Sequence, residues 1–162
     1  MSAVSEDIME KRAAYIALNM MDKIGPIKAR ALVGALGSPE AVFSASEDEL
    51  TAVKGIGSRL AKSIVSQQNQ LDPAAECRRA KKMGIRIVTE LDGEYPDSLK
   101  EMHDPPLALY VRGSIEKSDR HAIAVVGSRR CSHYGLQVAD RLSYQLAQTG
   151  FTIASGLARG ID

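Results

Sequence analysis

The sequence predicts an α+β chain in two parts, a bundle of short helices followed by the first part of a parallel α/β sheet. Up to about residue 70, apolar residues recur at helical spacing between glycine and proline stops. From residue 85 the pattern changes to short apolar runs, and one amphipathic helix separates the last two of them. The boundary is predicted near Asp72, so that residues 1–71 and 72–162 form two domains.

Start and stop signals define the helices of the first part. A helix is predicted from Ser5, and its core face repeats at i, i+4 and i+7 (Ala14, Leu18, Met21). Pro26 suits the first turn of a second helix that runs to about residue 36, where Gly37 is the stop. Ser46 and Glu49 have the spacing of a capping box that begins a third helix.

A Gly-Ile-Gly turn at residues 55–57 is typical of a helix-hairpin-helix motif. Its glycines permit a tight turn that exposes amide N–H groups at the start of the next helix, where the helix dipole favours a phosphate oxygen. A compact turn between packed helices has the same pattern, so both interpretations stay open. The residues of this possible secondary DNA contact are Lys54, Gly55, Gly57, Arg59 and Lys62.

Residues 23–30 resemble a second, degenerate copy of this hairpin. Lys23 stands where the first glycine would be, and Gly25-Pro26 follows at the start of the next helix. Two such hairpins side by side form a paired unit. The degenerate copy is predicted to be a packing partner and not a binding site.

The second part begins with a helix capped by Asp72-Pro73 and ending at Gly84. Strands are predicted at residues 85–89, 107–111, 122–126 and 152–154. Residues 122–126 have no polar alternation, which is typical of a strand covered on both faces. The helix between the last two strands should end at Gly150, and its inner face should be formed by Val138, Leu142 and Leu146.

Two small loops rich in glycine and arginine follow the last two strands. Residues 127–130 read Gly-Ser-Arg-Arg, and residues 155–160 read Ser-Gly-Leu-Ala-Arg-Gly. Parallel strands bring their C-terminal ends to the same edge of a sheet, where ligands of open α/β folds bind. Guanidinium forks beside backbone amides suit phosphate. The predicted phosphate-binding residues are Gly127, Ser128, Arg129, Arg130, Ser155, Gly156, Arg159 and Gly160.

Several other kinds of site are not expected. The glycine after Gly127 is Gly135, which breaks the Gly-x-Gly-x-x-Gly spacing of dinucleotide sites, so neither NAD, FAD nor another cofactor is predicted. The three histidines have no neighbours at ligand spacing, so no metal is predicted. No histidine or carboxylate pair is placed to activate Ser128 or Ser155, so no catalytic residue is predicted.

Composition limits how the protein could bind nucleic acid and which compartment it occupies. A net charge of +1 means that nucleic-acid binding must come from a local patch. Two distant cysteines, Cys77 and Cys131, favour a reducing compartment, and neither a signal peptide nor an apolar run of membrane-spanning length is present in the sequence. A cytoplasmic location is therefore predicted.

The two loops, taken with their flanks, resemble the signature of a known family. Residues 124–130 (Ala-Val-Val-Gly-Ser-Arg-Arg), Tyr134-Gly135 and residues 155–162 (Ser-Gly-Leu-Ala-Arg-Gly-Ile-Asp) are similar to that of the DNA-processing protein A family (DprA, also called Smf). Segments 94–96, 104–106 and 109–113 resemble the start of its extended Rossmann-like domain, and the paired hairpins resemble its sterile-alpha-motif-like region. One departure is Cys131, where such loops often carry proline.

The resemblance implies a bacterial cytoplasmic protein that binds single-stranded DNA, protects incoming DNA and loads the RecA recombinase during natural transformation. It implies no enzymatic activity and no membrane. It also implies a homodimer formed through later parts of the Rossmann-like domain. The last strand leads straight into a loop, so the chain is predicted to be an N-terminal fragment of a longer product.

Two other interpretations stay open. A nucleotide-processing enzyme of the lysine-decarboxylase-like phosphoribohydrolase class also holds phosphate on strand-end loops, but it needs a Pro-Gly-Gly-x-Gly-Thr-x-x-Glu motif beyond residue 162. A third interpretation is a helical protein–protein module joined to half a fold.

Overall fold

The computed structural model describes residues 3–162, with side chains from residue 8 onward. It forms two compact units, one ending at Ser114 and the other running from Ile115 to Asp162, which are described separately below. The first unit contains helices α1 (Ala3–Met20), α2 (Pro26–Leu36), α3 (Glu47–Thr51), α4 (Ser58–Gln68), α5 (Pro73–Lys82) and α6 (Asp97–Lys100), and strands β1 (Ile85–Thr89) and β2 (Ala108–Arg112).

Helices α1 to α4, with the segments between them and Leu107, form one apolar core. The predicted face of α1 is confirmed, since Ala14, Leu18 and Met21 are all buried, and Leu18 and Met21 belong to this core. The backbone of α1 starts at Ala3, two residues before the predicted Ser5. The helix from Pro26 to Leu36 and its stop at Gly37 are confirmed, as is the capping box of α3.

The two hairpins have the same backbone geometry. Lys23 has a left-handed φ of 66° where Gly55 has 88°, and Gly25 and Gly57 are extended N-cap residues of α2 and α4. The apolar residue inside each hairpin is buried in the core, as are the helical residues four and seven positions after each N-cap glycine (Ile24, Ile56, Ala29, Ala61, Leu32, Ile64). The predicted tandem of helix-hairpin-helix units is therefore confirmed, including its degenerate first copy.

Replacing Lys23 with glycine is expected to stabilise the chain by about 0.5–1 kcal/mol. A side chain in the left-handed region costs about 1–2 kcal/mol, from which the greater chain entropy of glycine in the unfolded state is subtracted. Urea unfolding of wild type, Lys23→Gly and Lys23→Ala measures the effect. The alanine variant keeps a Cβ at this φ, so an equal gain in Lys23→Ala would contradict the explanation.

The β1–β2 pair packs with the helices of the first unit. The two strands are antiparallel, with Ile85 opposite Arg112 and Thr89 opposite Ala108. Ile87 and Ala108 pack with Ile16 of α1 and Ala80 of α5 in a second small core. The contacts therefore divide the chain at Ser114, because β1 and β2 bury their apolar face on α1 and α5. The domain boundary at 71/72, predicted from the change of pattern along the sequence, stays a prediction.

Polar contacts also fasten the turn after β1 to the helices. Arg12 donates from Nε to the Asp92 carboxylate at 3.1 Å and from Nη2 to the Ile87 carbonyl at 2.6 Å. Arg30 of α2 forms an ion pair of 2.6 Å with Glu90. The helical bundle and the strand pair are thus joined by charged groups as well as by apolar contacts.

The second unit contains strand β3 (Ala122–Ala124), helix α7 (His133–Gln148) and strand β4 (Thr152–Ala154). The strands are parallel, with Ile123 opposite Ile153. Ser132 caps α7 by accepting a hydrogen bond from the Gly135 amide. A parallel βαβ unit is therefore confirmed in this part of the chain.

Two predictions for this unit were wrong. Residues 122–126 are not covered on both faces, since Val126 is 70% exposed, and on α7 Val138 and Leu142 are exposed while Leu146 is half-buried. The reason is that the described residues of this unit supply only one α-helix, one short 3-10 helix (Lys117–His121) and two strands. Strand pairing joins β1 only to β2 and β3 only to β4 among residues 3–162, so the extended Rossmann-like sheet stays a prediction.

Candidate anion-binding site

The two arginine-bearing loops lie together at one edge of the β3–β4 pair. The parallel pairing continues past β3, because the Val125 amide donates to the Ala154 carbonyl at 2.9 Å. Both strands then continue into their loops at the same end of the pair. The juxtaposition predicted from the sequence is confirmed.

Backbone groups join the two loops directly. The Ile161 amide donates to the Ser128 carbonyl at 3.3 Å. Ser155 Oγ lies 2.9 Å from two carbonyl oxygens, those of Val125 and Asp162, either of which can accept its proton. Hydrogen bonds therefore join the two loops into one structure.

Asp162 supplies a contact that the sequence analysis missed. Its Oδ1 accepts a hydrogen bond from the Gly127 amide at 2.8 Å, and its Oδ2 lies so close to Gly156 that a Cβ on that glycine would be 2.9 Å away. The signal available in the sequence was an acidic residue only two positions after Gly160, the last residue of the predicted phosphate site. Its carboxylate accepts the hydrogen bond of the Gly127 amide, which was expected to donate to a phosphate.

The Ser128 hydroxyl is also used within its own loop. Its Oγ accepts from the Arg130 amide and donates to the Arg130 carbonyl, both at 3.1 Å. Gly127 and Ser128 thus shape the loop in this structure. Direct contacts from them to phosphate stay a prediction.

The arginines are the groups left available to a ligand. Arg129, Arg130 and Arg159 are exposed. Within residues 3–162 their side chains have no hydrogen bond or ion pair, in contrast to Arg12 and Arg30. A guanidinium without an internal partner keeps all five of its donors for a ligand. The two joined loops therefore present three free cations on the surface of the second unit.

The helix-hairpin-helix site in the first unit carries a weaker charge pattern. Lys54 and Arg59 are exposed near Gly55 and Gly57. However, Glu47 of α3 contacts the first turns of α4. Its carboxylate accepts from Ser58 Oγ at 3.0 Å and is 3.9 Å from Lys62 Nζ. A carboxylate of the same chain thus already pairs with one of the three cations predicted for this site. This geometry favours the packing interpretation of the hairpin.

Comparisons with known proteins match both parts of the chain. Residues 15–67 match the family described as a SAM-like helix-hairpin-helix tandem, and residues 86–162 match the family described as DNA recombination-mediator protein A. The chain is 28% identical over 156 residues to the protein Smf of Synechocystis sp., an alignment that covers 94% of this chain and 39% of that protein.

The alignments with two further relatives cover smaller shares of those proteins. The DNA processing protein DprA of Bacillus subtilis is 36% identical over 83 residues, which is 51% of this chain and 28% of that protein. A DNA ligase of Chlamydia felis is 30% identical over 131 residues, which is 80% of this chain and 19% of the ligase. The chain thus spans well under half the length of these curated relatives.

Fold and comparisons together define a class of protein, in which a tandem of helix-hairpin-helix units precedes a recombination-mediator domain. The chain belongs to the DprA/Smf family of DNA-processing proteins.

Two further features of the described residues concern metals and membranes. No group of three histidine, cysteine, aspartate or glutamate side chains in this part of the chain is arranged to hold a metal ion. No helix in it has both the length and the apolar character needed to cross a bilayer.

Proposed function

We propose that the second unit binds single-stranded DNA through its phosphates, as part of a protein that protects incoming DNA and loads RecA during natural transformation. The observation that carries this proposal is the group of three exposed arginines without internal partners on two joined loops. A guanidinium fork matches a phosphate diester in shape and charge. The family membership supplies the context of DNA processing.

We propose binding and not catalysis for this site. Both loop serines are engaged with backbone groups, Ser128 with Arg130 and Ser155 with the carbonyls of Val125 and Asp162. Neither donates to a histidine or carboxylate side chain that would activate it as a nucleophile. RecA and a second copy of the chain are proposed partners of the whole protein, and a cytoplasmic location is proposed with them.

Replacing Arg129 with alanine is expected to weaken single-stranded DNA binding and to reduce its salt dependence. Three neutralised phosphates give a log–log salt slope of about −2, and losing one brings it to about −1.4, because each contributes about −0.7 on single strands. Titration of a labelled oligothymidylate at several salt concentrations measures both quantities.

Arg141→Ala is the matched control for that experiment. It removes the same charge from the same unit, but Arg141 lies on α7, eight residues after His133, or about 12 Å along the helix. Equal losses in the two variants would show an effect of net charge alone and would contradict a site at Arg129. Alanine at Lys54, Arg59 and Lys62 together tests the hairpin separately, and we expect it to leave the slope unchanged.

A further inference from the structure

Leu157 is an unusual residue at the tip of the second loop. It is 94% exposed, the highest value among the large apolar residues of the described chain. Its φ of 51° lies in the left-handed region, which an L-residue with a branched side chain rarely adopts. A single exposed leucine is ordinary, but an exposed leucine held at an unfavourable φ is not.

Contacts on both sides of Leu157 hold the loop in place. On one side Ser155 is hydrogen-bonded to Val125 or Asp162, and on the other Gly160 packs against the first loop. Leu157 lies between these two points, two residues from Arg159. The neighbouring loop contacts therefore impose the conformation that points this stretch of chain toward solvent.

We propose that Leu157 contacts a nucleobase of the single strand whose phosphates are held by the arginines, an inference that rests on the proposed function. Bases of a single strand expose apolar faces, whereas in a duplex these faces are stacked inside. Proteins that hold single strands combine a cationic path for the backbone with side chains, usually aromatic, that pack on the base faces, and an exposed aliphatic side chain can bury the same faces because hydrophobic contact is non-directional. Arg129, Arg159 and Leu157 supply both components on one pair of loops.

The test compares a base-bearing strand with one that has only the backbone. The probes are an oligothymidylate and an abasic deoxyribose-phosphate oligomer of equal length, titrated against the 162-residue chain at low salt. We expect wild type to prefer the thymidylate about fivefold, the lower end of what one base contributes by stacking on an aromatic side chain. Leu157→Ala and Leu157→Gly should each remove this preference and leave abasic binding and the salt slope unchanged, while Leu157→Phe should keep or increase it.

The pair of small substitutions separates base contact from backbone strain. Alanine keeps the Cβ at positive φ and glycine relieves it, so only a lost side-chain contact predicts the same binding result in both. Tyr144→Ala is the control, since Tyr144 is 66% exposed but lies eleven residues after His133, about 16 Å along α7.

Each outcome decides the matter. Equal binding of both probes by wild type, or an unchanged preference in both small variants, overturns the base contact while phosphate binding stands. A preference lost equally in Tyr144→Ala also overturns it, because the effect is then not local. Failure of wild type to bind either probe overturns the proposed function itself.

Discussion

Replacing Gly160 with alanine is expected to separate the two loops and to abolish binding of single-stranded DNA at this site. A Cβ on Gly160 would lie 2.7 Å from the Arg129 Cα and closer still to the Ser128 carbonyl oxygen. Both neighbours are backbone atoms, so no side chain can rotate to make room. The φ of Gly160, 106°, adds strain for any L-residue. The loss of affinity should be at least as large as that of Arg129→Ala, because Arg129 itself is displaced.

Gly150→Ala separates strain from collision. Gly150 also has a positive φ, 93°, but a Cβ there would meet nothing within 4 Å. We expect this control to lower stability by about 1 kcal/mol and to leave DNA binding intact. Hydrogen exchange at the Gly127 and Ile161 amides provides a direct readout of loop contact. Continued protection of both amides in Gly160→Ala would contradict the proposed steric role.

Replacing Asp92 with alanine is expected to destabilise the first unit by about 3 kcal/mol, because it leaves buried donors without acceptors. Asp92 Oδ2 accepts from the Thr89 amide at 2.7 Å and from the Thr89 hydroxyl at 3.0 Å. Thr89 is fully buried. The substitution also removes the ion-pair partner of Arg12. Urea unfolding followed by circular dichroism measures the loss.

Glu94→Ala is the control for Asp92→Ala. The ion pair of Glu94 with Arg86 is at the surface, with both side chains about half exposed, and such pairs contribute about 0–1 kcal/mol. Similar losses in the two variants would show that burial of Thr89 is not what makes Asp92 important.

The Asp92 contribution should also depend on pH. Partial burial raises the pKa of Asp92, but the hydrogen bonds from Thr89 and the Arg12 guanidinium outweigh it and lower the pKa below its usual value. A lowered pKa in the folded state stabilises the chain above the unfolded value of about 3.9, and this contribution is lost as the pH falls through the folded pKa. The stability advantage of wild type over Asp92→Asn should therefore be constant above about pH 5 and shrink below pH 4. An advantage that persists unchanged at pH 2 would contradict this.

Local signals predicted the helical unit well. The capping box at Ser46, the proline start at Pro26 and the glycine stop at Gly37 were each found where the sequence placed them. The left-handed turn at Lys23 was recognisable only by alignment with the glycine of the second hairpin. Caps and turns depend on residues close in sequence, so a short window contains the information they need.

Long-range pairing was harder to predict. The β1–β2 strands were recognised, but their antiparallel pairing and their packing on α1 and α5 moved the division between compact units to Ser114. Apolar strand patterns do not state which partner a strand takes or which helix covers it. The degree of burial on β3 and α7 was overestimated for the same reason.

For the candidate site, the sequence by itself determined which residues carry positive charge, and the parallel order of β3 and β4 that brings the two loops together. Only the tertiary structure decided how each group is used: Asp162 takes the Gly127 amide, the Ser128 hydroxyl closes its own turn, and the arginines are left free. The physical reason is that a residue type sets what a group can bind, whereas the competition between internal partners and ligand depends on distances across the fold.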